Sequence, residues 1–457
     1  MKPTRVLTNP TAETHMRSRR RNTELALLLM AVVVILAAYI LASLGRLAEI
    51  PANIVPFLIV ILGLLLVAHV ATRRLAPQAD PVLLPLAGLL NGFGYVFIAR
   101  LDEDLAGLQA TWTLLGVGAF IATLLVVPRT RWLEQYRYTL MLVGIGLLVL
   151  PLVPIVGQEI NGARIWVSLG PINFQPGEFA KIAFAIFFAA YLVEKRELLA
   201  MSSRRFLGMA FPEARHLGPI LVAWSASLLV MVAEKDLGSS LLFFTLFVVL
   251  LWVATERSSY LVMSLIMFAG GSLISYNRFG HVRQRVEVWL EPFGDPLGDG
   301  FQVTQAAFAL ADGGLTGTGL GVGSPNTENI PAVETDFIFA IIGEELGLMG
   351  TTAVLVAFML MIGGGLRIAL VAERPFEKLL ATGLTTLLGF QAFIIIAGVI
   401  RVLPLTGVTL PFVSYGGSSL LANWVLLALL LRISDDTANR RAEAAAAQLA
   451  EASPVSA

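Results

Sequence analysis

Long apolar runs separated by short polar interruptions set the pattern of this chain. A helix that crosses a bilayer needs about 20 predominantly apolar residues. Runs of that kind lie at residues 24–45, 54–72, 81–99, 110–128, 138–156, 174–193, 219–233, 239–255, 259–277, 336–361, 379–400 and 417–432. The pattern predicts an all-α polytopic membrane protein of about twelve transmembrane helices, the seventh and eighth being short. One stretch departs from it. Residues 278–335 contain no run long enough to span, yet Val286, Trp289, Phe293, Phe301 and Phe308 are woven through them. A long segment of that composition reads as a folded cap over a membrane cavity rather than as a disordered loop.

Composition narrows the class. The chain is 56% hydrophobic and 14% charged, with a mean hydropathy of +0.78, which excludes an ordinary soluble domain. Membrane lipids are its solvent. The net charge of zero leaves no electrostatic footprint for nucleic acid. The absence of cysteine excludes disulfides, thiolate metal sites and a cysteine nucleophile. His15, His69, His216 and His281 are too scattered to form a metal cluster. Four arginines, Arg17, Arg19, Arg20 and Arg21, precede the first run. That run is too long for a signal-peptide core and has no small-residue cleavage site, so it reads as a retained helix.

Charge also orients the bundle. With the N-terminus cytoplasmic, 23 of the 32 Lys and Arg residues fall on the inner side, 8 on the outer side, and Lys181 lies inside a span. This bias predicts both termini inside and the 278–335 cap outside. The Ala-rich tail after Arg432 reads as a frayed helix or disorder and is assigned no chemistry.

Polar residues at membrane depth are costly and therefore informative. Phe174-Gln-Pro-Gly-Glu178-Phe-Ala-Lys181 opens the sixth run, and the spacing of three puts Glu178 and Lys181 on one helix face. They form either a self-neutralising ion pair or one wall of a polar cavity. In Asn161-Gly-Ala-Arg-Ile-Trp166, the tryptophan is either an interfacial anchor or a substrate contact. Asp236-Leu-Gly-Ser-Ser240 reads as a polar turn or as a capped helix start. Asp295, between Gly294 and Pro296, reads on its own as a turn residue. The glycines from Gly313 to Gly323 follow no strand and lack a Gly-Lys-Ser/Thr, which argues against a nucleotide loop. Near the C-terminus, prolines and glycines interrupt an apolar stretch, Arg401-Val-Leu-Pro404-Leu-Thr-Gly407-Val-Thr-Leu-Pro411-Phe-Val-Ser414-Tyr415-Gly-Gly-Ser-Ser419. Irregular backbone at that depth needs protein or a wet cavity to satisfy it.

The Pro404–Ser419 stretch resembles the signature of the shape, elongation, division and sporulation (SEDS) family, the RodA and FtsW proteins. Asn161–Trp166 with Phe174–Lys181, Asp236–Ser240, Asp295–Gln302 and Thr335–Gly347 resemble further family motifs in the same order. The resemblance covers about residues 81–433, with loop 278–335 inside that core. It makes residues 1–23 a cytoplasmic tail, 24–80 two helices added to a ten-helix core, and 434–457 a second cytoplasmic tail. Gly177, where many relatives carry serine, and Arg401 are departures.

What the resemblance implies is a peptidoglycan glycosyltransferase of the bacterial cytoplasmic membrane. It would polymerise lipid II at the outer face during cell elongation, beside a class B penicillin-binding protein that crosslinks the product. An FtsW-like septal polymerase, a lipid II transporter and a scaffold without chemistry are the alternatives. By position, Asp295 matches the family's catalytic base, Lys181 a lysine expected to lie near it in one outward-facing cavity, Glu178 a glutamate of the same helix, and Asp236 and Trp166 further residues associated with activity. Arg283, Arg285, Lys181 or a divalent cation, Mg or Mn, would meet the charge of the pyrophosphate leaving group; the sequence does not give the metal.

Overall fold

A computed structural model describes residues 10–49, 54–160, 163–170, 172–200, 204–206, 209–211, 225 and 236–452. Helices α1 (Pro10–Leu47), α2 (Ile54–Leu75), α3 (Leu83–Leu101) and α4 (Glu103–Val126) open the chain. The short α5 (Arg131–Gln135) and α6 (Arg137–Val149) follow. A three-stranded antiparallel sheet, β1 (Gly157–Ile160), β2 (Ala163–Leu169) and β3 (Ile172–Phe174), then leads into α7 (Gly177–Ala200). This sheet is a small departure from a purely helical reading. After it come α8 (Leu237–Thr255), α9 (Ser258–Arg278), α10 (Gly280–Leu290), α11 (Phe301–Gly313) and α12 (Pro325–Glu328). Helices α13 (Ile338–Val371), α14 (Pro375–Val399) and α15 (Gly417–Ala452) complete the described chain.

Among the described residues, eight helices are long and apolar enough to cross a membrane. The expected run at 219–233 lies outside the described residues. Helix α7 is not among those eight, being bounded by Glu178 and Lys181 at its start and by Glu194, Lys195, Arg196 and Glu197 near its end, but Glu178 and Lys181 are buried. The run at 138–156 proves shorter than expected: α6 gives way to a 3-10 turn at Leu150–Leu152 and then to β1.

Small residues let the helices approach closely, as membrane interfaces require. Trp424 on α15 is fully buried over Gly116 of α4, where a Cβ would lie 2.4 Å from the indole. Phe120 and Phe412 meet Trp424 edge-on at 5.8 and 5.7 Å.

The tail after Arg432 differs from the frayed segment expected of it. Helix α15 continues unbroken, and its first turns beyond Arg432 are tied into the body. Asp435 accepts from the Gln78 amide at 2.6 Å, Ser434 Oγ accepts from the Asp80 amide at 3.0 Å, and Asp436 accepts from the amide and hydroxyl of Thr130, both at 2.9 Å. High alanine helix propensity carries the helix on, and loop amides left without helical partners take the carboxylates. The first helix is just as integrated. Glu24 is buried between Arg21, with which it pairs, and His69 Nδ1 at 2.6 Å.

The 278–335 segment is folded, as expected, and it owns more helix than its weak periodicity suggested. Helix α10 leads to a 3-10 turn at Pro292–Gly294, after which α11 packs on the start of α13. The glycine run docks onto Glu344 and Glu345. Thr318 and Gly319 amides donate to their carbonyls at 2.9 and 3.0 Å, and the Gly321 amide donates to the Glu345 carboxylate at 2.8 Å. A Cβ at Gly317 would sit 2.1 Å from the Glu345 carbonyl, so glycine is required by close approach, not by a nucleotide.

Candidate active site

The α7 ion pair through Gln391, the capped start of α8 through Gly238, and Arg285 of α10 converge on the irregular segment 401–416, which joins α14 to α15. Beneath it, Lys181 Nζ donates to Glu178 at 2.8 Å and to Gln391 Oε1 of α14 at 2.9 Å. Gln391 Nε2 in turn donates to the Thr409 carbonyl at 2.9 Å. Thr409 Oγ1 reaches Ser419 at 2.8 Å, and Asn423 Nδ2 donates to the same Ser419 at 3.3 Å. The two readings of the Glu178–Lys181 face therefore coincide: they are an ion pair, and they line a recess with Gln391 and Asn423. Its volume of about 10 Å³ admits about one water and no sugar.

At its side, Asp236 caps α8 by accepting from the Ser239 amide at 3.0 Å. Of the two readings of Asp236, the capped helix start is the one observed. The cap brings Gly238 against the segment, where a Cβ would lie 2.4 Å from Val408 and 3.0 Å from the Thr406 carbonyl. Ser418 accepts from the Gln175 amide at 2.9 Å, which ties the entry of α7 to the start of α15.

Above it lies α10. Arg285 Nη1 donates to the carbonyls of Leu405 and Thr406 at 3.2 and 2.9 Å, and Trp289 Nε1 donates to the Arg401 carbonyl at 3.0 Å. Asp336, in the loop that precedes α13, also lies near Gly407. A Cβ on Gly407 would be 3.5 Å from Arg285 Nη2 and 3.8 Å from Asp336 Oδ2. Burial pushes the Asp336 carboxyl up to about 6 against the opposing pull of Arg285. Tyr415 donates its amide to the Glu334 carbonyl at 2.9 Å, and burial raises its phenol.

Asp295 is placed differently. It caps its own turn, accepting from the Gly298 amide at 3.0 Å, and is exposed. It faces a recess of about 460 Å³ with Gln284 and Glu287 of α10, Glu291 just after that helix, and Asp299. Asp295 and Lys181 thus line two separate recesses, not the single site in which the resemblance places them. Arg283 is exposed beside this turn of α10, with its guanidinium 5.5 Å from the Tyr276 ring. Trp166, half-buried in β2 opposite Gln158, lines neither recess. Asn161 and Gly162 lie outside the described residues. Four carboxylates rim the Asp295 recess, yet no group of three or more His, Asp or Glu converges as a metal-ligand set among the described residues.

Sequence reasoning missed Gln391, Asn423 and Asp336. Gln391 and Asn423 carried a signal, since amides inside otherwise apolar runs need partners. Asp336 was hidden by its place at the boundary of a span.

A bundle of membrane helices, with a buried ion pair under an irregular segment and a folded acidic lid above it, defines a polytopic membrane enzyme class. The chain belongs to the FtsW, RodA and SpoVE family of cell cycle proteins, whose model matches residues 95–439. It is 47% identical to the peptidoglycan glycosyltransferase RodA of Mycobacterium tuberculosis over 436 residues, 93% of this chain and 92% of that protein. It is 34% identical to a probable peptidoglycan glycosyltransferase FtsW of Geobacter sulfurreducens, over 78% of this chain and 95% of that one. In a solved structure of a peptidoglycan synthase complex, described as coordinating polymerization and crosslinking, one chain matches with a TM-score of 0.64. That match is 27% identical and covers 79% of this chain and 98% of that one.

Proposed function

We propose that this membrane protein is a peptidoglycan glycosyltransferase of the RodA type that polymerises lipid II at the extracytoplasmic face. The observation that carries the reading is 47% identity along almost the whole of both chains to a RodA glycosyltransferase. The lower identity to the FtsW relative favours the elongation branch over the septal one. Distribution of polar groups supports catalysis over transport, because the lid and its acidic recess sit at one end of the bundle. Both termini are then cytoplasmic, as the Lys and Arg bias requires.

In the reaction, an acceptor sugar hydroxyl attacks the anomeric carbon of a second, polyprenyl-pyrophosphate-linked sugar. The new glycosidic C–O bond forms as the bond to the pyrophosphate oxygen breaks, and the leaving group takes the electron pair. The hydroxyl proton passes to a carboxylate, a contribution of about 100- to 10,000-fold for a well-placed base. Asp295 is that base, open to a recess large enough for part of a disaccharide. Arg283, exposed on the same lid, meets the pyrophosphate charge. Lys181, held by two partners, acts on the segment above it and not on the leaving group. The polyprenyl tails lie along the exposed apolar faces of the spans. A crosslinking partner, a class B penicillin-binding protein, suits a synthase that couples polymerisation to crosslinking, as the matched complex does.

The test is to incubate the purified protein and such a partner with labelled lipid II, and in parallel to measure lipid II transfer across liposomes by the protein alone. Glycan polymer without partner-independent transfer is expected. Transfer without polymer would make the chain a transporter.

A further inference from the structure

Helix α14 ends in a turn that suits glycine. The Val402 amide donates to the Ala397 carbonyl at 2.7 Å and the Arg401 amide to the Gly398 carbonyl at 3.1 Å, the paired bonds of a Schellman cap. The residue through which such a cap turns is left-handed, and glycine, lacking a Cβ, adopts that conformation at least cost. Here it is Arg401, with φ +62°, a departure from the family signature. Strain of this kind persists where surrounding contacts hold the residue in place.

The contacts of Arg401 are with the lid. Its Nη2 donates to the Trp289 carbonyl at 3.4 Å, and Trp289 Nε1 donates back to the Arg401 carbonyl at 3.0 Å. Trp289 lies in the last turn of α10, where carbonyls lack helical partners and the helix dipole favours a cation. The same guanidinium sits 5.7 Å from the centre of the Phe293 ring, within cation–π range. Phe293 precedes Asp295 by two residues, in a turn closed on itself. The Gly300 amide donates to the Asp295 carbonyl at 3.0 Å, the Gly298 amide to its carboxylate at 3.0 Å, and the Thr304 hydroxyl to the Pro292 carbonyl at 3.1 Å. Arg285, expected at the pyrophosphate, instead binds the Leu405 and Thr406 carbonyls one helical turn back along α10. It holds the helix, whereas Arg401 reaches the turn that carries Asp295.

We propose that Arg401 is a positioning residue that anchors the end of α10 and the Phe293 turn, and thereby the Asp295 carboxyl, to the buried end of α14. This inference rests on the reading of Asp295 as the base. Arginine suits the task because one planar group stacks on a ring and donates at its edge, which a lysine ammonium does not. Arg401→Gly loses these contacts but relieves the left-handed backbone, so its two effects on the fold oppose each other. Asparagine also accepts that conformation, and its short side chain does not reach the lid.

The chain has no cysteine, so spin labels on Leu297→Cys in the Asp295 turn and Leu348→Cys on α13, both exposed, report the position of the turn without background. With Arg401 in place the distance distribution is narrow. It broadens in Arg401→Gly and Arg401→Asn, and stays narrow in Arg278→Gln, which removes an exposed charge at the end of α9. With the crosslinking partner present, kcat for lipid II polymerisation in Arg401→Gly falls about tenfold at unchanged KM, the scale of one exposed cation–π contact with a long hydrogen bond. Arg401→Lys lies between the two, and the thermal midpoint of Arg401→Gly stays near wild type. A narrow distribution in Arg401→Gly overturns the proposal. So does a fall in its thermal midpoint that parallels the loss of kcat, the mark of support to the fold alone. The distance needs no turnover, so its failure is separable from failure of the Asp295 assignment, which is read by substituting Asp295 itself.

Discussion

Lys181 and Glu178 show how much a single buried pair can constrain. Each is more than nine-tenths buried, and the lysine has two partners at 2.8 and 2.9 Å. Removing only the cation leaves a carboxylate uncompensated, which costs about 3–5 kcal/mol, whereas replacing both ions with apolar groups is often neutral. Lys181→Met is therefore expected to lower the thermal midpoint sharply, and Lys181→Met with Glu178→Leu to restore most of it. If Lys181 acts through Gln391 on segment 401–416, the double variant stays impaired in polymerisation. Full recovery of activity would reduce the pair to packing. The pairing was legible from the spacing of three. The partners of Gln391 were not, because an amide inside an apolar run signals only that it needs partners, and the fold alone sets it between Nζ and the Thr409 carbonyl.

Elements, rather than residues, explain why glycine is dense in this sequence. Helix α13 is broken at Gly347, which has φ +62° and ψ −161° and lies against Gly317 and Leu315 of the docked loop. That backbone region is essentially reserved for glycine and costs about 1–3 kcal/mol for other residues. Gly347→Ala is expected to lower the unfolding midpoint and to increase proteolysis within 313–323, whereas Gly363→Ala, with open space around it, changes neither. Equal effects would show that the kink carries no special role. The Gly313–Gly323 run could be excluded as a nucleotide loop from its flanks. Its real partner was unreadable, because the Glu344–Glu345 carbonyls that it meets are more than twenty residues away. The sheet β1–β3 was missed for another reason: its short strands follow an apolar run whose end they share.

Taken whole, the molecule is a membrane bundle in which segment 401–416 is held by the lid through Arg285 and Trp289 and by the buried ion pair through Gln391, while Asp295 lines a wide acidic recess of its own. The apolar runs made the class legible, and the motif order made the family legible. The tail was misread because composition alone cannot show that Asp435 and Asp436 find loop amides. Truncation after Arg432 removes those contacts and is expected to lower the midpoint and the yield of folded protein. An unchanged midpoint would return the tail to the status of an appendage. That Asp295 and Lys181 line different recesses was also beyond sequence, since the resemblance places both in one site.

Asp295 carries the catalytic reading most directly. Lipid II polymerisation should be measured for the purified protein with its crosslinking partner, comparing Asp295→Asn with Asp299→Asn, a carboxylate on the same recess. Loss of at least about 100-fold in the first, as expected for a general base, with the second near wild type, is the predicted result. Wild-type polymerisation by Asp295→Asn would contradict it.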